Sequence, residues 1–168
     1  MTPWVPIGHR WSGEPVPAEA VARIRWSLGD VLRVEVDAPF HDDPAPAGPP
    51  GSVDALWNHE VVELFLLGTG ERYLEIELGP RGHYLVLQLA GVRQPTAMGL
   101  PIQFRATIHG DRWQGVAEVP SELVPAGVHR FNAYRIHGQG DGRTYLAHAP
   151  TKGDAPDFHR LEAFRPLP

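Results

Sequence analysis

Two neighbouring segments carry the acidic residues whose spacing could do chemistry. The first, WNHEVVELFLL (57–67), contains HEVVE, which looks like half of a zinc-hydrolase signature; the second is RYLEIEL (72–78). A zinc helix of that class needs two metal ligands one helical turn apart and a glutamate as base. Here the second histidine is absent and the residues are β-branched and aromatic. We therefore interpret the segment as a strand, on which His59 and Glu63 share a face and Glu60 points the other way.

The two segments form a predicted hairpin whose register is fixed by placing the apolar side chains on one face. The register pairs Val62 with Leu78, Leu64 with Ile76, and Leu66 with Leu74. On the opposite face Glu63 then lies across from Glu77, and Phe65 across from Glu75. Carboxylates directly opposite each other repel. The sequence thus predicts a compensating cation, metal, shared proton or ligand, unless this is an ordinary solvated face of an antiparallel sheet.

Further residues are predicted to join this face from the next strand. We expect the turn GPRG (79–82) to pair Leu78 with His83, which places Tyr84 beside Tyr73 and the acids. With its aromatic rings, the face would offer a stacking surface as well as hydrogen-bonding groups.

The strand 131–137, FNAYRIH, supplies the predicted counter-charge. Arg135 and His137 share one of its faces, and Arg135 is the better candidate to neutralise the acids. Glu63 and Glu77 also have a cross-strand spacing that approaches the catalytic pair of retaining glycosidases. An enzyme that uses this pair therefore stays open.

The elements that must position these residues are short strands. Alternation with period two marks 31–38, 60–67, 72–78, 83–90, 102–108, 112–119 and 131–137, and more weakly 144–149. The chain has 18 glycines and 18 prolines, which favour many turns. This pattern predicts an all-β protein, an antiparallel β-sandwich of Greek-key or jelly-roll type, as one domain over residues 1–168. Helical structure is limited to a single turn at 121–124, and 39–51 is a proline-rich loop.

Composition excludes several classes of function. The net charge is −5 without a basic run, which argues against a nucleic-acid partner. The absence of cysteine excludes disulfides and thiolate metal sites. No stretch approaches a membrane span and no leader is visible, so we expect no membrane partner and a cytoplasmic location.

Near-exclusive use of arginine over lysine suggests a GC-rich, bacterial genome. No cofactor motif occurs, although HDD (41–43) and Asp54 leave calcium open.

The run from HDDPAPAGPPG to LQLAGVR, with RFNAYRIHG and PDFHRLEAF, resembles an uncharacterised family of bacterial and animal proteins that includes a human open-reading-frame product. The resemblance covers roughly residues 9 to 165. That family in turn is similar to family 9 carbohydrate-binding modules and DOMON-like domains. The shared skeleton comprises Trp57, Glu60, Glu63, Tyr73, Glu75, Glu77, Trp113, Pro120, Asn132, Arg135, Asp157 and His159.

The resemblance implies a β-sandwich whose cleft accepts a small ligand, often a sugar, and relatives that often carry a structural calcium. We expect non-catalytic binding of a small polar ligand, with a saccharide as the leading class and the oligomeric state open. The predicted ligand-binding residues are Trp57, Glu63, Tyr73, Glu75, Glu77, Tyr84, Arg135, His137 and His159. The alternatives are a sugar-active hydrolase or isomerase that uses Glu63 and Glu77, and a protein-interaction domain in which the acids and Arg135 form an internal ion network.

Overall fold

Two β-sheets, packed face to face, account for nearly all regular structure in the computed structural model, which describes residues 1–168. The strands are β1 (Val5–Ile7), β2 (His9–Arg10), β3 (Ala22–Leu28), β4 (Val31–Pro39), β5 (Gly51–Ser52), β6 (Val61–Leu67), β7 (Arg72–Leu78), β8 (His83–Ala90), β9 (Pro95–Met98), β10 (Gln103–His109), β11 (Arg112–Pro120), β12 (Arg130–His137), β13 (Thr144–Ala147) and β14 (Arg165–Pro166).

The smaller sheet has the order β1-β3-β4-β11-β10, and the larger sheet the order β2-β13-β12-β6-β7-β8-β5. Strand β14 also pairs with β12, and β9 with β8. All pairings are antiparallel except the two-residue contact of β5 with β8. Because β4 lies beside β11 and β6 beside β12, the chain crosses between the sheets, as in Greek-key connections. The predicted all-β sandwich is confirmed.

Helical structure is limited to six short 3-10 turns, none of them long or apolar enough to cross a membrane. They are Ala18–Ala20, Leu56–Asn58, Thr69–Glu71, Ser121–Leu123, Gly140–Gly142 and Leu161–Ala163. The predicted single turn at 121–124 is one of these.

Every predicted strand is present, with ends within two residues of those expected. The longest strand that the prediction missed is β3, where Ala22, Ile24 and Trp26 are buried and alternate with Arg23 and Arg25. The period-two signal was therefore present in the sequence.

A first apolar core fills the space between the two sheets. It includes Leu32 and Val36 from the smaller sheet and Val62, Leu64 and Ile76 from the larger. Each of these side chains is at most 1% exposed. Truncation of such a residue to alanine typically costs about 2–5 kcal/mol of folding free energy.

A second apolar cluster covers the outer face of the larger sheet. The C-terminal segment contributes Phe158, Leu161 and Phe164, and the turn at 56–58 contributes Leu56. Strand β6 is consequently buried on both faces along its whole length. The alternative of a solvated polar face is wrong, because the chain after β13 folds back over it.

The register of β6 with β7 is as predicted: Glu63 lies opposite Glu77 and Phe65 opposite Glu75. We call the outer surface of β6 and β7, which carries Glu63, Glu75 and Glu77, the acid face.

The register of β7 with β8 differs from the prediction by one residue. Leu78 pairs with Tyr84 rather than His83, because the turn spans the five residues 79–83. One residue of shift moves each side chain of a strand to the other face. Tyr84 therefore lies on the inner face, packed against Phe104, and the prediction that it joins the acids is wrong.

Candidate functional site

A cavity of about 390 Å³ opens over the acid face. Its lining residues are Trp57, Glu63, Glu75, Leu87, Leu89, Arg93, Pro95, Met98, Ile136, Tyr145, Pro156, Phe158 and His159. Strands β6, β7, β8 and β12 form the floor. The 56–58 turn, the β8–β9 connection, β13 and the C-terminal segment supply the walls.

Three carboxyl groups lie in or directly under the floor. Glu63 is 2% exposed, Glu75 5% and Glu77 0%. Glu63 and Glu75 line the cavity, whereas Glu77 does not. Burial raises the pKa of all three groups, and the charges of neighbouring carboxyls raise those of Glu63 and Glu77 further. A carboxylic acid kept protonated in this way can donate as well as accept a hydrogen bond.

The buried oxygens of this group have unmet hydrogen-bonding capacity. Oε1 of Glu63 has no hydrogen-bond partner among the surrounding protein groups. The carboxyl of Glu77 has only the Glu75 carboxyl and the backbone N–H of Trp57 close to it, and neither meets it in good hydrogen-bonding geometry. Glu75 and Glu77 are two residues apart on one face of β7, so their carboxyls can share a proton. Such sharing gives one oxygen of Glu77 a partner, whereas Oε1 of Glu63, a residue that lines the cavity, has none.

The predicted counter-charge lies on the other side of the sheet. In the register of β12 with β6, Tyr134 lies opposite Glu63 and Arg135 opposite Val62. Arg135 is fully buried between the sheets and donates to the carbonyl of Pro39 at 2.9 Å. The prediction that it neutralises the acid face is wrong, and so is the internal network of these acids with Arg135.

His137 follows Arg135 to the inner side of the sheet. Its ring stacks on His41, with 3.8 Å between centroids and 5° between planes. Burial lowers the pKa of His137 to about 3, and the positive charge of Arg135 adds to the effect. Because His137 lies on the inner side of the sheet, the prediction that it joins the acid-face residues is wrong.

The cation that acts on Glu63 is Arg143. Its positive charge lowers the pKa of the Glu63 carboxyl, but burial raises that pKa by more. Its guanidinium donates to the carbonyls of Trp57, Asn58 (3.2 Å) and Gly138 (3.1 Å). These bonds hold the 56–58 turn in place and leave Glu63 without an ion pair.

His159 reaches the acids from the C-terminal segment. Its Nδ1 lies 2.7 Å from Tyr73 Oη, and its Nε2 lies 4.0 Å from Glu75 Oε2. Burial lowers the pKa of His159 to about 4. The ring is therefore neutral near neutral pH, and its approach to Glu75 is not an ion pair.

Asp157 links His159 to Arg93, which lies on the β8–β9 connection. Its Oδ1 accepts from the Arg93 guanidinium at 2.7 Å and from the backbone N–H of His159 at 3.0 Å. The backbone N–H of Arg93 donates to Tyr73 Oη at 3.1 Å. Arg93 has a φ of 56°, a backbone conformation that non-glycine residues adopt only at some cost.

Aromatic rings form part of the walls. Trp57 is 39% exposed and Tyr145 partly buried, and Phe158 stacks on Tyr134 with 3.9 Å between centroids. Tyr145 and Phe158 were missed by sequence reasoning. Phe158 could have been found, since it lies within the PDFH string, whereas Tyr145 lies in the weakest strand signal.

The structure thus groups some of the predicted site residues and separates others. Trp57, Glu63, Glu75 and His159 line the cavity, Tyr73 lies behind His159, Glu77 lies beneath the floor, and Tyr84, Arg135 and His137 lie on the inner side of the sheet.

No group of three histidine, aspartate or glutamate side chains is placed to hold a metal ion. Asp42 pairs with Arg81, and Asp43 accepts from the backbone N–H of Gly138 at 2.6 Å. Asp54 accepts from the N–H of Ala55 at 2.9 Å. These contacts are turn and loop roles, and calcium binding at this loop stays a prediction.

Relatives match nearly the whole chain. A Danio rerio protein, "UPF0462 protein C4orf33 homolog", is 45% identical over 169 residues, which cover 95% of this chain and 85% of that protein. The Homo sapiens "UPF0462 protein C4orf33" is 43% identical over 169 residues, covering 95% and 84%. The chain belongs to the UPF0462 (C4orf33) family. These relatives are animal proteins, and the bacterial origin inferred from composition stays a prediction.

No family model matches the chain. Among solved structures, a Bacteroides uniformis protein named a "putative carbohydrate-binding protein" has a TM-score of 0.75 at 15% identity, covering 99% of this chain and 85% of that one. At that identity the similarity establishes a shared fold.

Proposed function

We propose that this protein binds a small saccharide, without catalysis, in the cavity over the acid face. The observation that carries the proposal is the combination of buried carboxyls of raised pKa in the floor with aromatic rings in the walls of a cavity of about 390 Å³. That volume lies within the range of small-molecule sites. A protonated carboxyl matches a sugar hydroxyl, because each group donates and accepts.

The aromatic walls of the cavity suit the apolar faces of a sugar ring. The C–H faces of a pyranose are apolar, and the rings of Trp57, Tyr145 and Phe158 offer apolar surface beside the polar floor. The resemblance to family 9 carbohydrate-binding modules and DOMON-like domains supports the same ligand class. The shared fold with the Bacteroides protein is compatible with it.

Isothermal titration calorimetry with a panel of mono- and disaccharides tests the proposal. We expect binding by the wild type and a loss of at least about tenfold in Trp57→Ala, since stacking on one aromatic ring contributes on the order of 1 kcal/mol or more. Trp4→Ala is the matched control. Trp4 lies against Arg23 and Arg25 on the smaller sheet, away from the cavity. If no sugar in the panel bound the wild type, the proposal would be wrong.

A sugar-active hydrolase is the second candidate, favoured by the raised pKa of the cavity carboxyls. Because Glu77 does not line the cavity, the acid pair would be Glu63 and Glu75 rather than the predicted Glu63 and Glu77. Release of nitrophenol from a panel of nitrophenyl glycosides, abolished in Glu63→Gln, would support hydrolysis. No release above that of buffer, by a protein that binds sugars, would exclude hydrolysis of these glycosides.

A further inference from the structure

The cavity floor combines several acids, and no arginine or lysine of the protein forms an ion pair with them. Glu63 and Glu75 line the cavity, Glu77 lies under them, and Glu63 Oε1 is buried without a hydrogen-bond partner. A ligand hydroxyl can donate one hydrogen bond to this floor. An ammonium group donates three, and its positive charge stabilises the carboxyl that ionises to receive it.

The titratable and charged groups around Glu63 come from every neighbouring element. They are Tyr73, Glu75 and Glu77 of β7, Tyr134 of β12, Tyr145 of β13, Arg143 before β13, Arg93 after β8, and Asp157 and His159 of the C-terminal segment. Arg93 is neutralised by Asp157 at 2.7 Å. Arg143 uses its donors on backbone carbonyls and on Tyr145 Oη. His159 is uncharged, so no cation in the protein is hydrogen-bonded to the floor.

The walls are also suited to a cation. Trp57, Tyr145 and Phe158 surround the same cavity. The faces of aromatic rings attract cations, and rings grouped around an acidic floor are a known way of binding ammonium groups.

We propose that the ligand carries a protonated amino group, as an amino sugar does, and that this group binds between the carboxyl groups of Glu63 and Glu75, one of which is then a carboxylate. The inference rests on the proposed function, because it places the ligand in the same cavity and specifies its chemistry.

A proton balance follows from this placement. The ammonium group keeps its protons, and the carboxyl that receives it releases one proton to solvent as it becomes a carboxylate. Where that carboxyl is protonated in the free protein, the affinity rises about tenfold for each pH unit. A neutral sugar displaces no proton, and its affinity stays flat over the same range.

Calorimetry with glucosamine, glucose, N-acetylglucosamine and cyclohexylamine tests the inference, at about pH 6 and pH 7 in buffers of different ionisation enthalpy. We expect glucosamine to bind at least about tenfold more tightly than glucose or N-acetylglucosamine and to release about one proton. Glu63→Gln should reduce glucosamine binding to the level of glucose. Glu122→Gln, an exposed acid remote from the cavity, is the matched control and should bind as the wild type does.

The arms separate this inference from the proposed function. Equal affinity for glucose and glucosamine without proton release would show that the ligand needs no amino group, while the proposal of saccharide binding would stand. If cyclohexylamine bound in a Glu63-dependent way and no sugar bound, the site would recognise an ammonium group, and the proposal of a saccharide ligand would be wrong. If none of the four compounds bound, the amine inference would be wrong, and the wider sugar panel would decide saccharide binding. Should Glu63→Gln not fold, as circular dichroism would reveal, proton release by the wild type still decides the question.

Discussion

The phenolic oxygen of Tyr73 lies 2.7 Å from Nδ1 of His159, joining β7 to a residue 86 positions further along the chain. Tyr73 Oη also accepts the backbone N–H of Arg93 at 3.1 Å. Burial raises the pKa of Tyr73 to about 12, so the phenol keeps its proton and donates it to Nδ1. The neutral imidazole then carries its own proton on Nε2, the nitrogen that faces Glu75. Tyr73 thereby sets which hydrogen-bonding group His159 presents to the cavity.

Tyr73→Phe should weaken both folding and binding. The change leaves the Arg93 N–H and His159 Nδ1 without their partner, which typically costs about 1–2 kcal/mol of unfolding free energy. Urea denaturation and ligand titration measure the two effects. Tyr84→Phe is the control, since the Tyr84 hydroxyl lies on the inner face and accepts only a long bond, 3.4 Å, from Ile102. Equal ligand affinity in the two variants would contradict a role for Tyr73 in orienting His159.

The ring of His159 should stay neutral until the pH falls to about 4, because burial lowers its pKa to that value. The unfolded chain takes up this proton near pH 6.5, so the group's contribution to stability is present above pH 6.5 and is lost as the pH falls towards 4. Nitrogen-detected NMR should find the proton on Nε2 at about pH 6. A titration midpoint near 6.5, or a protonated Nδ1, would disprove this arrangement.

Glu77→Gln should change how stability depends on pH. Burial and the neighbouring acids raise the pKa of Glu77 in the folded state, so the native protein keeps a proton that the unfolded chain loses above about pH 4.5. The wild type is therefore destabilised by this group as the pH rises, by up to about 1.4 kcal/mol per pH unit. Glutamine cannot titrate, and the variant should gain stability relative to wild type between about pH 5 and pH 7.

Urea denaturation of both proteins across that range measures the difference. The control Glu122→Gln should follow the wild-type pH profile, because Glu122 is exposed. Parallel profiles for Glu77→Gln and wild type would show that Glu77 is not held protonated.

Arg135→Leu should destabilise the fold by about 3 kcal/mol, because it removes the donors to the carbonyls of Ala20 and Pro39 and the positive charge near Glu60. Ligand affinity of the folded fraction should be unchanged, since Arg135 lies on the inner side of the sheet. Arg105→Leu, at an exposed position of β10, should shift stability by at most about 0.5 kcal/mol. A large loss of ligand affinity in Arg135→Leu would contradict this prediction and show that Arg135 contributes to the ligand site.

Local patterns were enough to predict the hairpin of β6 and β7. The apolar residues of the two segments fit together in one register, and Glu63 then has to lie opposite Glu77. The same reasoning failed at β8, where one additional residue in the turn moved Tyr84 to the inner face. Alternation gives the two sets of residues that share a face, but not which of the two faces a separate strand turns towards its neighbour.

The sequence by itself determined the all-β class, nearly all the long strands and the cluster of Glu63, Glu75 and Glu77 on one face, because these depend on period-two alternation and one short turn. Only the tertiary structure decided that this face is buried, that Arg135 lies behind the sheet, and that the C-terminal segment supplies Phe158 and His159 to a cavity. The pairing of β12 with β6 and the folding back of the C-terminal segment join residues far apart in the chain. They are set by how two apolar cores pack at once, and no local pattern of residues specifies that packing.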